Sequence, residues 1–133
     1  MDEQRLASVP LFASLSKRER AELARHADEV DLREGQELVH EGAFAYEFFV
    51  IEEGTAEVLR GGEHVADLGP GDFFGEMGAV SVDGRRNATV VTRSPMTAIV
   101  MTARDFRDIA SRMPMLAERI GEKIRERSEK LVG

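Results

Sequence analysis

Apolar residues change their period twice along this chain. Over residues 1–28 the spacing predicts helix: in "SLSKRERAELARHAD" Ser16 stands three residues before Glu19, a capping box, and Leu23, Ala24 and Ala27 fall on one face. Pro10, Leu11, Phe12 and Leu15 come just before, and their apolar members are placed to staple the helix start onto a core. From Val30 to Met101 the period shortens to two. Candidate strands lie near 29–33, 36–40, 46–52, 55–60, 63–68, 88–93 and 96–101. Gly35, Gly42, Gly54, the Gly61-Gly62 pair and Gly69-Pro70-Gly71 mark the turns between or beside them. Residues 102–133 return to helix. Thr102 is a candidate cap with Asp105 three later, Pro114 suits the start of a new helix, and Ala117, Ile120, Ile124, Arg127 and Leu131 step by three and four, the spacing of a helix–helix seam.

Many short strands between helical ends predict an α+β chain, mainly β, of sandwich, jelly-roll or barrel type. With 133 residues a single domain is expected: a helical segment 1–28, a β-region 29–101 and C-terminal helices 102–133. No apolar run approaches the roughly 20 residues needed to cross a bilayer, and the opening Met1-Asp2-Glu3-Gln4-Arg5 is not that of a signal peptide, so a cytoplasmic protein without membrane contact is expected. The absence of cysteine removes disulfides, thiolate nucleophiles and Cys-ligated metals. A net charge of -7 argues against nucleic acid as a partner, because phosphate-backbone affinity comes from surplus Lys and Arg.

Against that acidic background, "FFGEMGAVSVDGRRNATVV", residues 73–91, concentrates three glycines, a glutamate and an arginine pair. A phosphodiester held by an acidic protein needs a fixed cation, preferably the planar Arg fork, and inward-pointing backbone N–H groups. Arg86 could supply the first, and a short helix starting at Glu76 and running to Ser81 the second. Gly75 permits a tight approach of backbone, and Gly78 and Ala79 are small enough for a ligand to lie against. Glu76 is unwelcome beside a phosphate unless it accepts hydrogen bonds from hydroxyls, as acidic residues do from ribose. Phosphate plus ribose points to a nucleotide. His26, His40 and His64 form no clustered ligand set, so no metal is expected. Ser14, Ser16 and Ser81 lack a base, Asp72 reads as a turn residue, and no enzyme activity is expected.

"FGEMGAV…RRNATV" resembles the phosphate-binding cassette of the cyclic nucleotide-binding domain family, of the catabolite activator and protein kinase A regulatory subunit type. "GDFFGE", the glycine of "VIEEGTAEV" and the opening "LFASLSKRERAELARHADEV" are similar to that family as well, and the resemblance runs from about Val9 to Leu131. It implies a jelly-roll (double-stranded β-helix) barrel with an N-terminal helix and two C-terminal helices. Carried over by position, Gly75 matches the cassette glycine and Glu76 the acceptor of the ribose 2′-hydroxyl. Arg86, three residues before Thr89, matches the phosphate arginine, and Arg85 is left to solvent. Met77, Gly78, Ala79, Asn87, Ala88 and Thr89 complete the implied contacts. Asn87 departs from the Ala, Ser or Thr usual after that arginine. "RSEKLVG" resembles the end of the catabolite activator's dimerisation helix, which implies a base contact from Ser128 and, replacing a threonine, Arg127.

The function implied is a non-catalytic sensor that binds cAMP in preference to cGMP, without metal, and signals through its C-terminal helix. The alternative is a nucleotide-independent interaction or dimerisation module on the same fold. Expected partners are the nucleotide and either a second copy, through a 114–132 helix, or a fused or separate effector.

Overall fold

The computed structural model describes residues 1–43, 46–75 and 88–122. Helices α1 (Glu3–Ala7) and α2 (Lys17–Ala24) precede eight strands: β1 (Asp28–Leu32), β2 (Glu37–Val39), β3 (Glu47–Glu53), β4 (Ala56–Arg60), β5 (Glu63–Leu68), β6 (Phe73–Phe74), β7 (Thr89–Thr92) and β8 (Met96–Thr102). Helix α3 (Ala103–Ala110) follows, and a further helical run, α4, occupies residues 114–122 of the described chain.

The strands form two four-stranded antiparallel sheets, ordered β1-β8-β3-β6 and β2-β7-β4-β5. This is the expected jelly-roll architecture with one correction: among the described residues the sheets are separate, because hydrogen bonding stops at β1 and β6 on one and at β2 and β5 on the other, so the roll is not a closed barrel. Alternation along the strands explains the layering. In β3, Phe48 and Val50 join a cluster with the helices, while Phe49 and Ile51 join a second cluster with residues of the other sheet. Residues Ile99 and Met101 of β8 and Phe73 of β6 face the helices; Met96, Ala98 and Phe74 face the other sheet. The first sheet is thus a middle layer, buried on both faces, and its central strand reads as a continuous apolar run.

The N-terminal region departs from the expected single helix. Ser16 accepts from Glu19 N at 3.1 Å and Glu19 Oε1 accepts from Ser16 N at 2.9 Å, so the capping box is present, but it starts a helix of only eight residues. Between α1 and α2 the chain runs through i→i+3 turns, Phe12 N to Val9 O at 2.9 Å and Leu15 N to Phe12 O at 3.1 Å. These turns bury Val9, Leu11, Phe12 and Leu15 against the core. Arg20 ties the two helices, donating from Nε to Glu3 Oε1 at 2.7 Å.

At the other end Thr102 caps α3, accepting from Asp105 N at 3.1 Å. The inward stripe continues as Phe106, Ile109, Ala110, Met113, Leu116 and Ile120. Of the expected seam, Ile120 is buried in this stripe, whereas Ala117 is exposed and Leu116 takes the inward position beside it. Its remaining members, Ile124, Arg127 and Leu131, lie outside the described residues. The short strand β6 has no counterpart among the sequence-predicted strands, and the two-residue run it pairs with in β3 explains why: periodicity cannot register in two residues.

Candidate functional site

The cassette 73–91 is described at its two ends. Its entry is β6, at the edge of the first sheet, and its exit is β7, between β2 and β4 in the second. Glu76, Met77, Gly78, Ala79, Arg86 and Asn87, together with the expected helix start at Glu76, lie outside the described residues, as do Arg127 and Ser128. The structure places Gly75, Ala88 and Thr89.

The entry is fixed from upstream. Asp72 closes the Gly69-Pro70-Gly71 turn, its Oδ2 accepting from Gly69 N at 2.8 Å, and its carbonyl accepts from Ile51 N at 2.9 Å. Its role is the turn-closing one expected. Phe73 and Phe74 then insert on opposite faces of the sheet. Phe74 stacks on Phe49 with ring centroids 4.8 Å apart. Gly75 follows at φ 87°, in the left-handed region that a Cβ disfavours by about 1–2 kcal/mol. The residue chosen from sequence for backbone freedom thus uses it.

Leaving the cassette, Ala88 is half-buried and Thr89 begins β7, opposite Leu59 of β4. The Thr89 hydroxyl accepts from Glu41 N at 2.9 Å. Val90 points between the sheets and is paired by register with Val39 on one side and Val58 on the other. In the facing sheet, Val100 is opposite Phe49, itself opposite Phe74, the residue before Gly75. Val39, Val58 and Val100 are only half-buried although they belong to the apolar cluster between the sheets. Each lies close in register to one end of the cassette, Val39 and Val58 beside Val90 and Val100 beside Phe49. Sequence reasoning did not single them out. Their alternation marks them as inward-facing strand residues, but which inward residues remain uncovered depends on pairing that a single strand does not encode.

The remaining candidate chemistry is dispersed. His26 Nδ1 is 3.5 Å from Asp105, His40 sits beside Glu37, and His64 Nδ1 is 2.7 Å from Glu57, three separate pairings on different elements. Arg93 also binds the Glu57 carboxylate, and these two partners, Arg93 first, hold that carboxyl below its ordinary range. Among the described residues no group of three or more His, Asp or Glu is arranged to hold a metal, and no helix is long and apolar enough to cross a membrane.

The sequence model of the cyclic nucleotide-binding domain matches residues 29–113, and the chain belongs to that family. Domains of this family bind and regulate rather than catalyse. A cAMP-dependent protein kinase regulatory subunit from Hypocrea atroviridis is 30% identical over 106 residues, covering 80% of this chain and 23% of the relative. The chain therefore spans less than a quarter of the length of that relative. The regulatory domain of Toxoplasma gondii protein kinase A, solved with cAMP, superposes with a TM-score of 0.76 at 22% identity, over 93% of this chain and 48% of that one. The regulatory subunit of a cAMP-independent protein kinase A from Trypanosoma brucei superposes with a TM-score of 0.78 at 22% identity, over 90% and 43%. At such identities the structural likenesses establish the fold.

Proposed function

We propose that this chain is a cyclic nucleotide sensor that takes cAMP in preference to cGMP and reports occupancy through its C-terminal helix. The observation that carries the reading is the cassette sequence, entered through a left-handed glycine at Gly75 and spanning from one sheet to the other, within a chain of the cyclic nucleotide-binding family. In this reading Arg86 pairs with the phosphodiester, Glu76 accepts from the ribose 2′-hydroxyl, and Gly75, Met77, Gly78, Ala79, Asn87 and Ala88 present backbone and small side chains to the sugar phosphate. Val39, Val58 and Val100 offer apolar surface to the base, and Arg127 or Ser128 approaches it from the C-terminal helix. The choice of cAMP is supported by the Hypocrea relative, a regulatory subunit of a cAMP-dependent kinase, and by the Toxoplasma domain, solved with cAMP.

A path for the signal is available in the packing. Phe73, two residues before Gly75, lies 5.7 Å from Phe48 between ring centroids, and Phe48 stacks on Phe106 of α3 at 3.8 Å. A shift at the cassette entry therefore bears on α3 through two buried rings, provided the ligand contacts two arrangements of the helices unequally. We place the whole of 1–133 in one such domain, in the cytoplasm, acting on a second copy through residues 114–132 or on an effector.

The test is calorimetric titration with cAMP and cGMP. The wild-type chain is expected to bind cAMP more tightly, Arg86→Ala to lose binding, and Glu76→Ala to weaken it severely. Equal cAMP affinity in wild type and Arg86→Ala would remove the cassette from the explanation. The Trypanosoma neighbour, described as belonging to a cAMP-independent kinase, favours a second reading in which the fold serves as a nucleotide-independent module. A folded chain indifferent to both nucleotides would select it.

A further inference from the structure

Thr89 lies on the face of β7 turned away from the space between the sheets. Along β7, Val90 and Thr92 are buried and Val90 faces the space between the sheets, so alternation directs Thr89 to the opposite, outer face. There its hydroxyl oxygen accepts from Glu41 N at 2.9 Å, and Glu41 turns its own Oε1 to accept from Gly61 N at 2.9 Å. Gly61 opens the β4–β5 turn at φ 60°. Two hydrogen bonds thus join three segments remote in sequence: the cassette exit, the loop that follows β2, and the β4–β5 hairpin. Because β7 lies between β2 and β4, the two bonds extend the pairing of the sheet beyond Val39 opposite Val90 and Thr89 opposite Leu59.

We infer that Thr89 is a positioning residue, which anchors the cassette exit to the 40–43 loop and, through Glu41, to the β4–β5 turn, and does not contact the ligand. The inference rests on the nucleotide-binding reading above for its effect on affinity. It stands alone for the mechanical link. Removing one hydrogen-bond acceptor while keeping the side-chain shape isolates the role: Thr89→Val does this, and Thr89→Ser restores the hydroxyl.

The experiment is residue-resolved amide hydrogen exchange on the ligand-free chain, combined with titration of cAMP. At about 1 kcal/mol for such a bond, Thr89→Val is expected to exchange about 5-fold faster at Glu41 N and to bind cAMP about 5-fold more weakly. Gly61 N is expected to exchange faster in the same variant, because Glu41 loses its anchor. Thr89→Ser is expected to recover both properties, and Glu41→Ala to release Gly61 N while Glu41's own position keeps its protected amide. Weakened cAMP binding in Thr89→Val with wild-type exchange at both amides would overturn the inference in favour of direct contact, and unchanged affinity would overturn it as well. If the wild type binds neither cAMP nor cGMP, the nucleotide-binding reading fails by itself. Faster exchange at Gly61 in Thr89→Val then still establishes the link, and unaltered exchange removes it.

Discussion

Glu52 of β3 has a side chain only 13% exposed, and its two oxygens are unequally served. Oε2 accepts from Arg5 at 3.1 Å, whereas Oε1 is buried without a hydrogen-bond partner among the described residues. Arg5 is shared with Glu29 of β1, so one guanidinium from α1 answers two carboxylates on two strands. Burial raises the Glu52 pKa above its ordinary value, Arg5 opposes the rise, and the neighbouring Glu53 adds to it. A carboxyl with a raised folded-state pKa favours folding while protonated, so its contribution is fully present below the unfolded-state value and is lost as pH rises through the folded one. Glu52→Gln, which keeps the shape and stays neutral, is therefore expected to gain stability relative to wild type as pH is raised from the acid range toward neutrality. Urea unfolding of both proteins across that range gives the difference directly, and parallel stability curves would mean that Arg5 fully compensates the burial.

The elements differ in how far sequence revealed them, and the differences follow from what local chemistry can encode. Ser16 with Glu19, and Thr102 ahead of Asp105, were legible because a cap is made within four residues. Seven of the eight strands among the described residues were legible from alternation and glycine turns. Gly54 shows the strength of such a signal: at φ 100°, a Cβ there would meet Pro95 O at 2.5 Å. Strand β6 was not legible, nor was the choice of Leu116 over Ala117 as the inward residue of α4, since both are settled by partners distant in the chain. The column Phe73–Phe48–Phe106 is of the same kind, assembled from β6, β3 and α3. Replacing its last ring tests whether it carries the signal. Phe106→Leu is expected to cost about 1–3 kcal/mol in urea unfolding, from lost ring contacts. It is also expected to bind cAMP while losing most of the ligand-induced change in amide exchange across α3. A wild-type change in α3 would leave the rings as packing alone.

Across the whole molecule, the N-terminal segment and the C-terminal helices share one core against the middle sheet. Leu6, Val9 and Phe12 cluster with Met113, Leu116 and Ile120, and Arg119 donates to Pro10 O at 2.9 Å. Ile120 is the last member of that core among the described residues. The proposed base contacts, Arg127 and Ser128, lie beyond that point, and truncation after residue 122 tests them, with ligand-free unfolding as the control for folding. A ligand that binds only the folded state stabilises it by RT ln(1 + [L]/Kd), about 2.7 kcal/mol at a hundredfold excess over Kd. In thermal unfolding with cAMP, the 1–133 chain is expected to show a stabilisation of that order. The chain cut after 122 is expected to unfold cooperatively without ligand and, at the same cAMP concentration, to gain distinctly less, because in the proposed reading it keeps the sugar-phosphate contacts of the cassette and loses the base contacts of Arg127 and Ser128. Equal stabilisation of the two chains would strip Arg127 and Ser128 of a ligand role and leave the cassette and the valines between the sheets as the whole of the site.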